Sequence, residues 1–233
     1  MSATRTIVVF GSGPGIGRSV AQEFASNGFN HVILLARHHA RLDQDKMAVE
    51  KSSKDVKVDL LTVNLADKAS VKEALTKIDS LSKDIECVFY NGARVAPSTL
   101  LEFPVEEMEL DFKTTNSGLY IVAQWCIPKF QVLAKSDSAA KPSLLVTNSV
   151  LYKYPVPAVF SLTLTKAAQR SMVECMYQTY KDSGIHCGLI SVGGEVAPEN
   201  KALNPDNIAK ETWALFAQPK EKWELEVEIM EAQ

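Results

Sequence analysis

Long apolar runs are missing from this 233-residue chain: none approaches the roughly 18 residues that a membrane span requires. Charge excess is missing too. A formal net charge of −3 offers no electrostatic case for nucleic acid or an anionic membrane as partner. Cysteine is scarce, and Cys87, Cys126, Cys175 and Cys187 include no C-x-x-C pair of the kind that holds a metal. Three of them lie in apolar runs, which suits buried free thiols in a reducing compartment. No metal is expected, since His38 and His39 have no third ligand within sequence reach. Met1 to Arg5 are followed by only five apolar or β-prone residues, too few for a signal peptide, so a cytoplasmic protein is the expectation. Repeats, low-complexity tracts and linkers are absent, and the length fits one domain over residues 1–233.

What is present is an alternation of short apolar runs with longer helical patterns. Residues 6–10, 31–36, 56–64, 85–90, 143–147, 185–192 and 223–230 read as strands. Several are near-continuous in Val, Ile and Leu, as strands buried on both faces of a parallel sheet must be. Helices are expected over 16–28, 38–51, 67–82, 106–133, 161–182 and 207–218, with Asn204 or Asp206 capping the last. Such alternation implies right-handed crossovers and an α/β, doubly wound sheet with helices on both faces. The final strand alternates charged with apolar residues from Glu224 to Ile229, so one of its faces is wet, as at a sheet edge.

After the first strand comes Gly11-Ser12-Gly13-Pro14-Gly15-Ile16-Gly17, opening a helix. A glycine turn in that place lets backbone N–H groups approach a pyrophosphate, aided by the helix dipole. The second strand ends at Arg37. An acid there would hydrogen-bond the ribose 2′-hydroxyl of NAD, whereas Arg accommodates a 2′-phosphate, so Arg37 points to NADP(H) unless it is a solvated helix-start charge.

With these features in place, the chain resembles the short-chain dehydrogenase/reductase family over nearly its full length. Residues 11–17 match its G-x-x-x-G-x-G turn, Asn91-Gly92-Ala93 its N-A-G stretch, and Asn64 stands where the family often has an Asp near the adenine. Ser149 matches its active-site serine and Lys166 its lysine. The resemblance implies a Rossmann-type fold, with Gly11, Ser12, Gly15, Ile16, Gly17, Arg37, Asn64, Asn91, Lys166 and Gly194 holding NADP(H). In the family a Tyr four residues before the Lys moves the proton, because i and i+4 share a helix face. Here that position is Leu162, which has no proton to give. The family's helix-five Asn falls at Thr115, with Asn116 next to it. Ser191-Val192-Gly193-Gly194-Glu195 stands where the family usually has Pro-Gly after strand six; Gly194 keeps the turn, Glu195 brings a carboxylate near the expected nicotinamide pocket, and Val196–Pro205 is short for a substrate lid.

Two tyrosines and one carboxylate are candidate substitutes for the missing acid. Tyr152 and Tyr154 follow Ser149 on the loop that should border a substrate, although packing beside Pro155 and Pro157 explains them as well. Glu195 serves as acid or base if burial raises its pKa. Arg94 stands where it would contact a phosphate or a substrate carboxylate, or it is a surface charge. Four functions remain open: an NADP(H)-dependent reductase of a small carbonyl, imine or activated alkene with an altered proton relay; a non-redox cyclase or isomerase; a nucleotide-binding pseudoenzyme; and a structural subunit. The segments 119–127 and 171–177 are apolar on more than one helix face, which suggests a homodimer or homotetramer.

Overall fold

The computed structural model describes residues 4–231, so the first residues of the stretch read for a signal peptide lie outside it. Seven strands form one parallel sheet: β1 Thr6–Phe10, β2 His31–Ala36, β3 Lys57–Thr62, β4 Ile85–Tyr90, β5 Ser143–Ser149, β6 His186–Gly193 and β7 Glu226–Met230. Their order is β3-β2-β1-β4-β5-β6-β7, which puts β7 at an edge, as its charge alternation suggests. The connections are α1 Ile16–Ser26, α2 His39–Ser52, α3 Lys68–Leu81, α4 Val105–Phe112, α5 Gly118–Ser136, α6 Phe160–Tyr180 and α7 Pro205–Ala217. The direction of winding reverses between β1 and β4. A crevice opens there beyond the carboxyl ends of the strands, where doubly wound sheets take their ligands.

Strand residues alternate between two cores, which is why the strands are apolar throughout. Val8, Ile33, Val88 and Leu144 join α3, α5 and α6 on one face. Ile7, Val32, Phe89 and Leu145 join α1, α2 and α7 on the other. Each apolar side chain buried in this way contributes about 1.5–3 kcal/mol. Asn204 caps α7 by accepting from the Asn207 amide at 2.8 Å. Cys87, Cys126 and Cys187 are buried and Cys175 is exposed, all of them free.

The helix expected over 106–133 is not continuous. It ends as α4 at Phe112, passes through a π-helical turn over Lys113–Ser117, and resumes as α5. Side chains explain the widening, because they take carbonyls out of the regular ladder. The Tyr90 hydroxyl donates to the Thr114 carbonyl at 2.5 Å, and the Gln169 amide donates to the Thr115 carbonyl at 3.1 Å. Gly118 follows because a Cβ there would stand 2.6 Å from the Tyr90 oxygen and 2.8 Å from the Leu65 carbonyl. Among the described residues, no helix is long and apolar enough to cross a membrane, and no group of three or more His, Cys, Asp or Glu side chains is placed to hold a metal ion.

Candidate functional site

Beyond β1 the chain folds back under itself in the glycine turn. The amides of Gly11 and Ser12 both donate to the Leu35 carbonyl at 2.9 Å, tying the turn to β2. Asn91 ties it to β4, its side-chain amide donating to the Gly11 carbonyl at 3.0 Å. Gly11 has φ +92°, and a Cβ on Gly17 would stand 2.4 Å from the Gly11 carbonyl oxygen, so both positions exclude larger residues. Among the described residues no backbone carbonyl accepts from the amides of Ile16 and Gly17, which open α1 without an acidic side chain in its first turn. Unpaired donors at a helix start, with the helix dipole behind them, favour an anion.

A cavity of about 440 Å³ runs from this turn over the ends of β2 and β4. Gly11, Ser12 and Gly13 form one wall, and Asn91, Gly92, Ala93 and Arg94 the other. Asn64 lines the far end, where Arg37, His38 and Arg41 gather at the exposed start of α2. Arg41 adds a second guanidinium that sequence reasoning did not single out, although the spacing from Arg37 is one helical turn.

Beneath the turn lies Asp45, fully buried on α2. It accepts from the Ser12 hydroxyl at 2.7 Å and from the Arg18 Nε at 2.6 Å. Ser12 therefore turns its hydroxyl inward, away from the groove. Sequence reasoning missed Asp45, though a signal was there: it shares the inward face of α2 with Leu42 and Val49, at a spacing where a carboxylate requires a partner.

The other sequence-predicted residues do not line the groove. Gly15 is the N-cap of α1, with Ile16 and Gly17 beginning the helix. Gly194 packs beside Leu203, and Glu195 is exposed on the following turn. Ser149 ends β5 half-buried, its oxygen accepting from the Leu151 amide at 3.3 Å. Leu162 is half-buried on the first turn of α6. Lys166 is buried, and its Nζ donates to the Thr147 carbonyl at 2.7 Å and to the Gln169 Oε1 at 2.9 Å. Burial without a carboxylate pulls its pKa down to about 7. Gln169 thus links the lysine to the π-turn carbonyl of Thr115. Asn116 points elsewhere: it lines a separate hollow with Lys72 and Tyr120, its amide buried without a partner.

Neither tyrosine sits free at the end of β5. The Tyr152 hydroxyl lies 3.1 Å from Glu226 and 3.2 Å from Glu228 on β7, under the Arg170 guanidinium, and burial raises its pKa. Tyr154 is exposed. Arg94 is not a free surface charge. It pairs with Glu107 at 2.5 Å and with Asp111 at 3.1 Å, and Asp111 accepts from the Ser161 hydroxyl at 2.6 Å.

A family model described as short chain dehydrogenase matches residues 5–207. Among curated proteins, an uncharacterized oxidoreductase of Thermotoga maritima is 30% identical over 122 residues, covering 52% of this chain and 46% of that protein. The very-long-chain 3-oxoacyl-CoA reductase of Bos taurus is 27% identical over 214 residues, 88% of this chain and 62% of that one. The chain thus spans about half to three fifths of the length of these two relatives. The sepiapterin reductase of Chlorobaculum tepidum is 23% identical over 226 residues, 91% of this chain and 90% of that one. In fold, the chain is similar to an alcohol dehydrogenase from the archaeon Thermococcus sibiricus complexed with 5-hydroxy-NADP, with a TM-score of 0.86 at 20% identity over 99% and 97% of the two chains. A metagenomic short-chain oxidoreductase in complex with NADP superposes with a TM-score of 0.83 at 17% identity over 98% and 97%.

Proposed function

The chain belongs to the short-chain dehydrogenase family, and from that premise we propose that it is an NADP(H)-dependent reductase whose proton supply differs from the usual one. The single observation that carries the cofactor reading is the glycine turn beside the groove: Ile16 and Gly17 amides that no backbone carbonyl takes up, Gly11 and Gly17 without room for a Cβ, and a groove with a cationic far end. These residues fit a dinucleotide. Gly11, Gly13, Ile16 and Gly17 would lie along the pyrophosphate, Asn91 would brace the turn, and Asn64 would border the adenine. Arg37 and Arg41 would face a 2′-phosphate, which an acid at the end of β2 would repel. Structural neighbours complexed with NADP support the same reading.

Bound there, the nicotinamide supplies the hydride. The chain's own residues do the rest. The Ser149 hydroxyl, at the end of β5, would orient an acceptor oxygen or nitrogen. Leu162, at the acid position, has no proton to move. Lys166 has its amine committed to Thr147 and Gln169, and it steadies α6 against β5. A site of this kind suits an imine or activated alkene better than a plain ketone, because loss of one proton donor costs about 10²–10⁴-fold in rate. The same withdrawn lysine favours a second reading, a nucleotide-binding protein without turnover. We also propose self-association through α5 and α6, where Tyr120 of α5 and Phe112 at the end of α4 are exposed around the Asn116 hollow.

Calorimetric titration with NADPH and NADH tests the first step. NADPH is expected to bind at least tenfold more tightly, a difference of about 1.4 kcal/mol, and Arg37→Glu should reverse that preference. Failure of both dinucleotides to bind would remove the cofactor reading. Oxidation of NADPH by imines or enones separates reductase from binding protein. Leu162→Tyr should raise ketone reduction about a hundredfold if only the acid is missing.

A further inference from the structure

Two loops beyond the carboxyl ends of β4 and β5 carry an unusual concentration of exposed apolar side chains. Val95, Leu100 and Leu101 lie on the first, with Val105 where α4 begins, and Tyr154 and Val156 lie on the second. Single exposed apolar residues are ordinary, but a joined set marks a contact surface. These loops are joined. Ser98 pairs with Val159 as a parallel bridge, the Ser98 amide donates to the Ala158 carbonyl at 2.8 Å, and the Ser161 amide donates to the Ser98 hydroxyl at 3.1 Å. Phe103 meets Phe160 edge-on at 5.9 Å, closing the platform from below.

Leu101 is the sharpest case. It is 94% exposed and held at φ +67°, a conformation that a leucine rarely adopts. The turn that holds it is closed by the Glu102 and Phe103 amides, which both donate to the Thr99 carbonyl. Strain of this kind persists where surrounding contacts impose it, and it concentrates at ligand clamps. The turn keeps an apolar side chain raised into solvent instead of folding it down.

Position and charge name the occupant. Val95 stands two residues past Ala93, which lines the cofactor groove, so the lip continues that groove. Residues 95–101 and 154–165 contain no charged side chain at all, and the second stretch includes Leu162. The cations that border the lip, Arg94 and Lys153, are paired with Glu107, Asp111 and Glu228, so the lip offers no free cation to anchor an anionic substrate.

We propose that the substrate of this chain is a small molecule with an extended apolar body, and that this body lies across the lip formed by Val95, Leu100, Leu101, Val105, Tyr154 and Val156 while its reducible end reaches Ser149. The proposal rests on the reductase reading, and its test separates the two.

Binding of alkan-2-ones from six to twelve carbons is measured by calorimetry on free protein and on protein saturated with NADP. Affinity for the ketone should rise up to about fourfold for each added methylene until the lip is covered. The double variant Leu100→Ser, Leu101→Asn keeps the turn, because Asn tolerates the left-handed region. It should bind dodecan-2-one about tenfold more weakly with unchanged NADPH affinity, and Leu101→Asn alone should show part of that loss. Affinity that does not depend on chain length would overturn the proposal, as would an unchanged dodecan-2-one affinity in the double variant. If the double variant instead falls to a smaller oligomer while ketone binding persists, the lip is a contact between copies and the proposal fails. Loss of NADPH binding in the parent protein refutes the reductase reading alone, because ketone binding is read separately on free protein.

Discussion

Lys166 couples the buried heart of the candidate site to pH. In the unfolded chain its ammonium holds its proton up to about pH 10.5, whereas in the folded chain burial lowers the pKa to about 7. Between those values the unfolded state binds one more proton than the folded state, so stability rises with pH across that window. The gap of 3.5 units corresponds to about 5 kcal/mol of cost at pH 7. Against it stand two hydrogen bonds, to Thr147 and Gln169, contributing together about 1–3 kcal/mol. Lys166→Met keeps the length of the side chain and removes the ionisable head. At pH 7 the variant should be more stable than the parent by about 2–4 kcal/mol. The two should become equal near pH 9, and above pH 10 the variant should be the weaker by about 1–3 kcal/mol. Urea unfolding at pH 7, 8, 9 and 10 gives the difference between the two proteins, in which other titrations cancel. A difference that does not change with pH, or a variant less stable at pH 7, would mean that the amine keeps its proton inside the fold.

His186 extends the same trend, stability falling as pH falls, into the acid range. It stacks on Trp223 at 4.9 Å, its Nε2–H donates to the Glu224 carbonyl at 2.8 Å, and burial lowers its pKa to about 4. Only the unfolded chain takes up this proton between about pH 6.5 and 4, so stability should fall across that window by about 3 kcal/mol. Denaturant titrations of His186→Phe should show a flatter acid limb; an identical one would exclude His186 as the source. Asp45→Asn removes the charge that faces Arg18 while leaving an acceptor for Ser12. Because Arg18 is 26% exposed and can regain water, the cost should be about 1–3 kcal/mol, below that of a fully buried broken pair. A thermal melt should therefore shift by several degrees. The same variant should weaken NADPH and NADH by a common factor in calorimetry, since Asp45 holds the turn that both share; a change in their ratio would contradict that role.

Much of the architecture was legible locally. Continuous Val, Ile and Leu in strands β1, β2 and β4 could mean only burial on both faces, and the glycine turn between β1 and α1 carries its own steric reason. Arg37 was readable as a groove residue because it closes β2 at the crevice, whereas Leu162 stood out only through the family resemblance, which expects a Tyr one helical turn before Lys166. The family followed from the order of these segments. Other features had no local signature. The helix through Lys113–Ser117 widens because Tyr90 and Gln169, 24 and 54 residues away from the carbonyls they capture, reach into it. The inward turn of Ser12 depends on Asp45, 33 residues on. That Thr147 and Gln169 take the Lys166 amine, and that Asp111 and Glu107 pair with Arg94, had no local sign in the sequence. The two apolar loops became one lip only through the pairing of Ser98 with Val159. Periodicity and turn chemistry act within a few residues, so the sequence alone determined the elements, their order and the nucleotide-shaped turn. Which buried polar group finds which partner is settled by elements that meet only when the sheet is wound, and that is what the tertiary structure decided.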